Sequence, residues 1–183
     1  MLGLRLMAKK GLDAYDYFRY WGVSPSFWGV FCKLILNKNH CFSYQVWLRL
    51  SNQSIIRPIA RMIHVIMSSY YGIHIPPYTK IGPGLYINHG FGIFINANTI
   101  IGKNCNISQL TTIGSNKGTP ATIGDNVYIG PTVCIVESLT IGNEVNIGAG
   151  AVVTHDIPDG VTVAGVPAKI ISEKKQDFIQ NRI

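Results

Sequence analysis

The sequence predicts a mainly β protein: a parallel β-helix preceded by an α-helical region and closed by a short C-terminal helix. Three observations carry this. From Ile73 to Val153 an aliphatic residue returns at every sixth position, in the runs Ile75, Ile81, Ile87; Ile101, Ile107, Ile113; and Ile123, Ile129, Ile135, Ile141, Ile147, Val153. Gly follows the aliphatic at positions 82, 102, 114, 124, 130, 142 and 148. Before Ile73, aromatic and aliphatic residues recur instead at helical spacing. Helices repeat near 3.6 residues and strands near 2, so a sustained six belongs to neither. Six fits a short strand plus a corner, one side chain per repeat pointing inward and Gly where the backbone turns tightly.

Residues 1–11 are short and basic. From Leu12 to about Asn37 helical spacing links Tyr15, Phe18, Tyr20 and Trp21, then Phe27, Trp28, Val30, Phe31 and Leu34. Ser24-Pro25 interrupts them and supplies an N-cap and first-turn pair. Cys41 to Leu50 and Ile55 to Tyr70 read as two further helices, with Pro58 in the first turn of the second. The aromatic stripe reads as core or subunit packing; a basic, aromatic-rich helical segment also suits a membrane interface. Gly72-Ile73 opens the coils. The period then breaks twice. Between Ile87 and Ile101 the phase slips by two residues around 91–95, and between Ile113 and Ile123 four residues are inserted within 114–122. Gly, Ser, Asn and Pro make that insertion an extruded loop, and repeat architectures place binding residues on such loops. The period stops at Asp156 to Gly160, and residues 172–183 read as a polar tail or helix. The expected organisation is a helical region over 1–71, the β-helix over 72–171 and the tail over 172–183.

At 183 residues the chain suits one domain, or one with an appendage. Hydrophobic content of 47% against 14% charged residues argues against disorder and for subunit contact. The net charge of +7 is N-terminal: residues 1–70 hold nine Lys or Arg against two Asp or Glu, and residues 71–183 hold seven of each sign. That asymmetry suits a membrane surface or a phosphate-bearing ligand better than duplex nucleic acid, with a solvated basic face as the alternative. Cys32, Cys41, Cys105 and Cys134 lack metal-ligand spacing and imply free thiols in the cytoplasm. The uncharged stretch from Met62 to Tyr78 contains two histidines, a Gly and two prolines, a poor membrane span. Walker, HExxH, CxxC and nucleic-acid signatures are missing, which points to no metal and no nucleic-acid partner.

Residues 73–171 resemble the hexapeptide-repeat acyltransferases, closest to the serine acetyltransferase branch and its relatives in bacterial polysaccharide clusters. The resemblance rests on Ile73-His74-Ile75-Pro76-Pro77, Lys80-Ile81-Gly82, Ile87-Asn88-His89 with Gly92-Ile93, and Ala164-Gly165-Val166-Pro167-Ala168. It implies a left-handed parallel β-helix of triangular section, an exception to right-handed crossovers. It also implies homotrimers with active sites between subunits and acetyl-CoA as co-substrate.

His89 is the first candidate catalytic residue. Acyl transfer from a thioester to a hydroxyl needs a base near neutral pH, and imidazole suits it; the resemblance gives the histidine at this place that role, with direct attack on acetyl-CoA. His74 falls where serine acetyltransferases carry an acidic residue that orients the base. A neutral imidazole cannot stabilise imidazolium as a carboxylate does, so either His74 orients His89 by a hydrogen bond or another group does so. Asn88 stands where those enzymes have Asp, and the loop histidine they carry is missing from 114–122. Serine presents an ammonium and a carboxylate, which call for charged partners, whereas Asn88, Thr119 and Pro120 are neutral. Asn88, Phe91, Tyr86 and Asn96 offer amide and aromatic surface suited to a saccharide. The resemblance matches Gly130, Ala149 and Thr154 to pantetheine contacts and places Lys169 to meet a phosphate. Pro131 lacks the N–H that related galactoside acetyltransferases aim at the thioester carbonyl. Cys105 and Cys134 read as inward core residues.

The expected function is acetyl-CoA-dependent O-acetylation of a sugar hydroxyl in surface polysaccharide assembly, with a saccharide acceptor and a basic N-terminal region close to lipid-linked intermediates at the membrane. Serine O-acetylation in cysteine synthesis is the alternative, and a non-catalytic scaffold is a third.

Overall fold

The computed structural model describes residues 12–35, 39–53, 56–116, 118–173 and 177–183. The basic 1–11 stretch and the Lys174-Lys175 doublet lie outside them. Among the described residues four helices come first: α1 Leu12–Trp21, α2 Phe27–Ile35, α3 His40–Gln53 and α4 Arg57–Tyr71. Ser26, rather than Ser24, caps α2, its Oγ accepting the Gly29 N–H at 3.0 Å. Gly72 ends α4 with φ +64°, a left-handed conformation that glycine adopts without a side-chain clash.

Fifteen short strands follow, wound as coils. The first coil is β1 Ile73–His74, β2 Lys80–Ile81 and β3 Tyr86–Asn88. The second is β4 Ile93–Ile95, β5 Ile100–Ile101 and β6 Asn106–Ser108, and the third is β7 Thr112–Gly114, β8 Thr122–Ile123 and β9 Tyr128–Ile129. The fourth is β10 Cys134–Val136, β11 Thr140–Ile141 and β12 Asn146–Ile147; β13 Val152–Val153, β14 Thr162–Ala164 and β15 Lys169–Ser172 finish the stack. Strands three apart pair in parallel, and β14 pairs with β12, giving sheet A (β1-β4-β7-β10-β13), sheet B (β2-β5-β8-β11) and sheet C (β3-β6-β9-β12-β14), with β15 antiparallel on β14. The six-residue period thus becomes three flat faces. Its aliphatics stack inward as Ile87, Ile107, Ile129, Ile147 and Val163 behind sheet C, and as Ile101, Ile123 and Ile141 behind sheet B. Where the chain turns from B to C the coils come so close that a Cβ on Gly124 would lie 2.8 Å from the Gly142 carbonyl carbon, so these corners need glycine.

A solenoid's first coil has no coil above it, and its upward peptide groups need other partners. The helices supply them with side chains. The buried Asp16 accepts N–H groups from Gly84 and Leu85, each at 2.9 Å, and Gln45 Nε2 donates to Leu85 O at 2.8 Å. Tyr20 Oη accepts the Ile87 N–H at 3.1 Å and donates to Ile87 O at 2.9 Å. Arg49 donates to Ile81 O and Gly82 O at 2.8 and 2.7 Å and pairs with Asp16 at 3.0 Å. Arg19 Nε donates to Gly84 O at 2.9 Å.

The same cap contains a buried imidazole. His64 on α4 sits 2.9 Å from Tyr44 Oη, which accepts the Ile75 N–H at 3.1 Å. Burial lowers the His64 pKa to about 4. A basic group depressed on folding gives stability that is complete above its unfolded value of about 6.5 and is lost as pH falls towards 4. Urea unfolding between pH 7 and pH 4 is expected to lose about 3 kcal/mol from this group, and His64→Phe to remove that share of the slope. An unchanged slope in the variant refutes the assignment.

Two sequence expectations change. Residues 177–183 form no helix; their polar groups pair with Asn104 at the corner between sheets B and C, with Asn106 of sheet C, with α1 and, at Ile179, with the Asp177 side chain. Asn104 bonds both the N–H and the carbonyl of Ile183, at 3.2 and 3.0 Å, and Asn181 Nδ2 donates to Arg19 O at 3.2 Å. Cys134 points outward: its register with Thr112 and Val152 puts it on the outer row of sheet A, half-buried, whereas Cys105 is buried as expected. Among the described residues no helix is long and apolar enough to cross a membrane.

Candidate active site

The edge where sheet C turns into sheet A carries the candidate base. In each coil this corner contains one left-handed residue: Gly92, Leu110, Thr132 and Gly150 have φ of 64°, 59°, 58° and 71° and follow one another down the stack. They are registered by the bonds Leu110 N–H to Phe91 O, Thr132 N–H to Gln109 O and Gly150 N–H to Pro131 O, all 2.9 Å. On the strand side, Asn88 pairs with Ser108. Phe91 therefore stacks on Gln109 and Asn88 on Ser108, which leaves His89-Gly90 as two residues without a counterpart below. The period slip expected around 91–95 comes from this earlier pair. His89 adds a second left-handed turn to the corner, with φ +50°, and its side chain is exposed. A side chain at φ > 0 outside glycine is uncommon and marks a corner held by its surroundings.

Gly90 supplies that hold. It is buried, and a Cβ there would meet Ile73 Cδ1 at 2.8 Å and Cys41 Sγ at 3.0 Å. Its N–H donates to Cys41 Sγ at 3.1 Å and its carbonyl accepts from His40 Nε2 at 3.0 Å, both from the first turn of α3. The His40 ring stacks on Tyr71 at 4.5 Å and 22°. Burial raises the Cys41 pKa above its ordinary value, so the group is a neutral thiol. Sequence reading passed over His40 and Cys41 because they lie 50 and 49 residues from Gly90 and belong to no hexad.

The other candidates divide by edge and face. Below His89 on the same edge lie Gly130, two strand steps down sheet C, and Ala149, three steps down. Lys169 opens β15, five steps down, or roughly 24 Å at the strand spacing. Phe91 stands beside His89 and is 63% exposed. Tyr86 and Asn88 line a cleft of ≈ 220 Å³ between sheet C, α1 and residues 178–181, together with Arg19, Tyr20, Asn106 and Tyr128. His74 is on the outer row of sheet A, stacked on Phe94 at 4.7 Å and 16°; among the described residues no hydrogen bond joins it to His89. Asn96 and Thr154 follow β4 and β13 on the opposite edge of sheet A, the edge that also extrudes the loop over 114–122. One chain thus gathers His89, Phe91, Gly130, Ala149 and Lys169 along one line and separates Asn96 and Thr154 from them. Among the described residues no three His, Cys, Asp or Glu side chains converge as a metal site.

Residues 120–155 match the family model described as bacterial transferase hexapeptide (six repeats). A serine acetyltransferase of Helicobacter pylori (strain J99) is 37% identical over 121 residues, 64% of this chain and 71% of that protein. One from Synechococcus elongatus is 36% identical over 118 residues, covering 62% of this chain and 48% of its own length. Among solved structures, the Brucella abortus serine acetyltransferase superposes with a TM-score of 0.71 at 25% identity, over 89% of this chain and 68% of that one. The Neisseria gonorrhoeae serine acetyltransferase in complex with serine gives 0.68 at 26% identity, over 92% and 69%. The chain belongs to the hexapeptide-repeat acyltransferases, in the serine acetyltransferase-like branch, and its coils are the left-handed parallel β-helix of that family. It spans about half the length of several curated relatives it matches.

These relatives overturn the expectation of a polysaccharide acceptor, and with it the saccharide partner: they are named serine acetyltransferases, and they lend the lipid-linked membrane contact no support. The expectation rested on the neutral side chains of Asn88, Thr119 and Pro120, and each reports only its own corner of the coil.

Proposed function

We propose that the protein is an acetyl-CoA-dependent serine O-acetyltransferase in which His89 is the general base. The observation that carries the reading is the placement of His89: exposed, on a two-residue bulge, at the head of an edge whose lower corners are Gly130 and Ala149. In the reaction, His89 takes the proton of the serine hydroxyl as the oxygen attacks the thioester carbonyl. The tetrahedral intermediate collapses, the C–S bond breaks, and the imidazolium returns its proton to the departing CoA thiolate. The products are O-acetylserine and CoA. Small corner residues suit an extended pantetheine arm, and a Lys169 ammonium at the foot of the edge suits a phosphate. Pro131 gives no N–H to the developing oxyanion, so its donors come from other residues. Asn88 and Phe91 are the acceptor-side residues of this reading; Tyr86 belongs to the cleft behind them.

The reading takes residues 72–171 as the acetyltransferase unit, working as a trimer. Apolar side chains exposed beside His89 (Phe91, Phe94 at 49% and Leu110 at 47%) suit contact with a neighbouring subunit. A second subunit would bring the Asn96, Thr154 and loop edge of its own prism to this corner. Thiol release from acetyl-CoA, followed with L-serine as the only hydroxyl acceptor, tests the proposal. Turnover that saturates with serine is expected; hydrolysis at the serine-free rate refutes it.

A further inference from the structure

His89 lacks the acidic orienting partner that the family pattern has at position 74, and its ring makes no hydrogen bond among the described residues. Within this chain, the contacts that steady it act on its backbone. His89-Gly90 is the inserted pair, so the Gly90 peptide groups have no place in the ladder between coils. Helix α3 takes both of them: Cys41 Sγ receives the N–H at 3.1 Å and His40 Nε2 donates to the carbonyl at 3.0 Å. The two side chains are adjacent in sequence and 3.5 Å apart, and the His40 ring is itself braced on Tyr71. A carbonyl can only accept, so His40 carries its proton on Nε2. Glycine at 90 completes the fit, since Ile73, Ile87 and Cys41 fill the space a Cβ would occupy.

We propose that His40 and Cys41 are positioning residues for His89: they clamp both peptide groups of Gly90 and thereby hold the left-handed corner that presents the imidazole. The proposal rests on His89 being the base. It answers how an imidazole without a carboxylate partner keeps its direction, because the clamp restricts the backbone on the residue next to it. Neither residue touches the reacting atoms. Displacement of a catalytic group by about 1 Å costs up to about 100-fold in rate, so loss of one clamp bond is expected to appear in kcat.

The test is steady-state kinetics on the full chain with acetyl-CoA and L-serine. Cys41→Ala removes the acceptor for the Gly90 N–H, while Cys41→Ser keeps one. His40→Phe keeps the ring on Tyr71 but removes the donor to the carbonyl. Each of Cys41→Ala and His40→Phe is expected to lower kcat by about tenfold or more, with KM for acetyl-CoA within about twofold of wild type. Cys41→Ser is expected to recover most of the loss. In a His89→Ala background neither change should lower the residual rate by more than about twofold, since residues acting through one group are not additive. A purely structural role would lower the unfolding midpoint and leave kcat per folded enzyme unchanged. That result, or losses that persist undiminished without His89, overturns the proposal alone. Full turnover by His89→Ala overturns the functional reading and this proposal together. Because His40 is only half-buried, His40→Phe decides the matter if Cys41→Ala does not fold.

Discussion

Replacing His89 by alanine is expected to lower kcat/KM for serine acetylation by about 10²–10⁴-fold, the range contributed by a positioned general base. Acetyl-CoA affinity should stay within about threefold of wild type, because the lane of small residues below His89 is untouched. The side chain is exposed and makes no hydrogen bond among the described residues, so its loss opens no cavity and orphans no buried group. The unfolding midpoint should stay close to that of wild type, since alanine keeps a Cβ in the same left-handed backbone. Stopped assays that follow CoA thiol, with calorimetric titration of acetyl-CoA, separate chemistry from binding. A variant with more than a tenth of wild-type turnover refutes the role of His89.

The second large effect concerns stability. Asp16→Ala removes the carboxylate that pairs with the buried Arg49 and accepts the Gly84 and Leu85 N–H groups. Removing one partner of a buried ion pair costs about 3–5 kcal/mol, because the remaining charge is left uncompensated. Here two backbone donors are orphaned as well, so the upper part of that range is expected. Asp16→Asn keeps an oxygen acceptor for the N–H groups and should lose less. Urea unfolding monitored by tryptophan fluorescence gives both values. A loss below about 1 kcal/mol for Asp16→Ala would show that water satisfies the top of the first coil and that the helices are not its cap.

The coils were legible because their code is local. One inward aliphatic per six residues names the faces, and Gly beside it names the corners. The loop over 114–122 and the corner at His89 stood out as breaks in that code, although the slip near 91–95 proved to arise from His89-Gly90. The cap was illegible for the opposite reason. Asp16, Tyr20, Gln45 and Arg49 reach peptide groups 32 to 69 residues away, and nothing in a helix records which carbonyl it will meet. The clamp on Gly90 was hidden in the same way. The tail failed differently: its composition permits a helix, but Asn104, at the corner between sheets B and C, takes both the N–H and the O of Ile183. The acceptor was not legible because the neutral residues that suggested it, Asn88 at one edge and Thr119 and Pro120 at the opposite one, each report only their own corner.

The sealing of the first coil by α1 and α3 has a consequence for how this scaffold can change length. A stack whose first rung is matched atom by atom to helical side chains cannot gain or lose a rung there without discarding that match. At the opposite end β15 returns antiparallel on β14 and closes sheet C to extension by a further parallel strand. Whole turns of the prism can therefore be added or removed only in its middle, where each turn presents the same ladder above and below. Such a change would alter the span between His89 and Lys169 in steps of roughly 4.8 Å, making the solenoid a ruler for whatever lies along its edge.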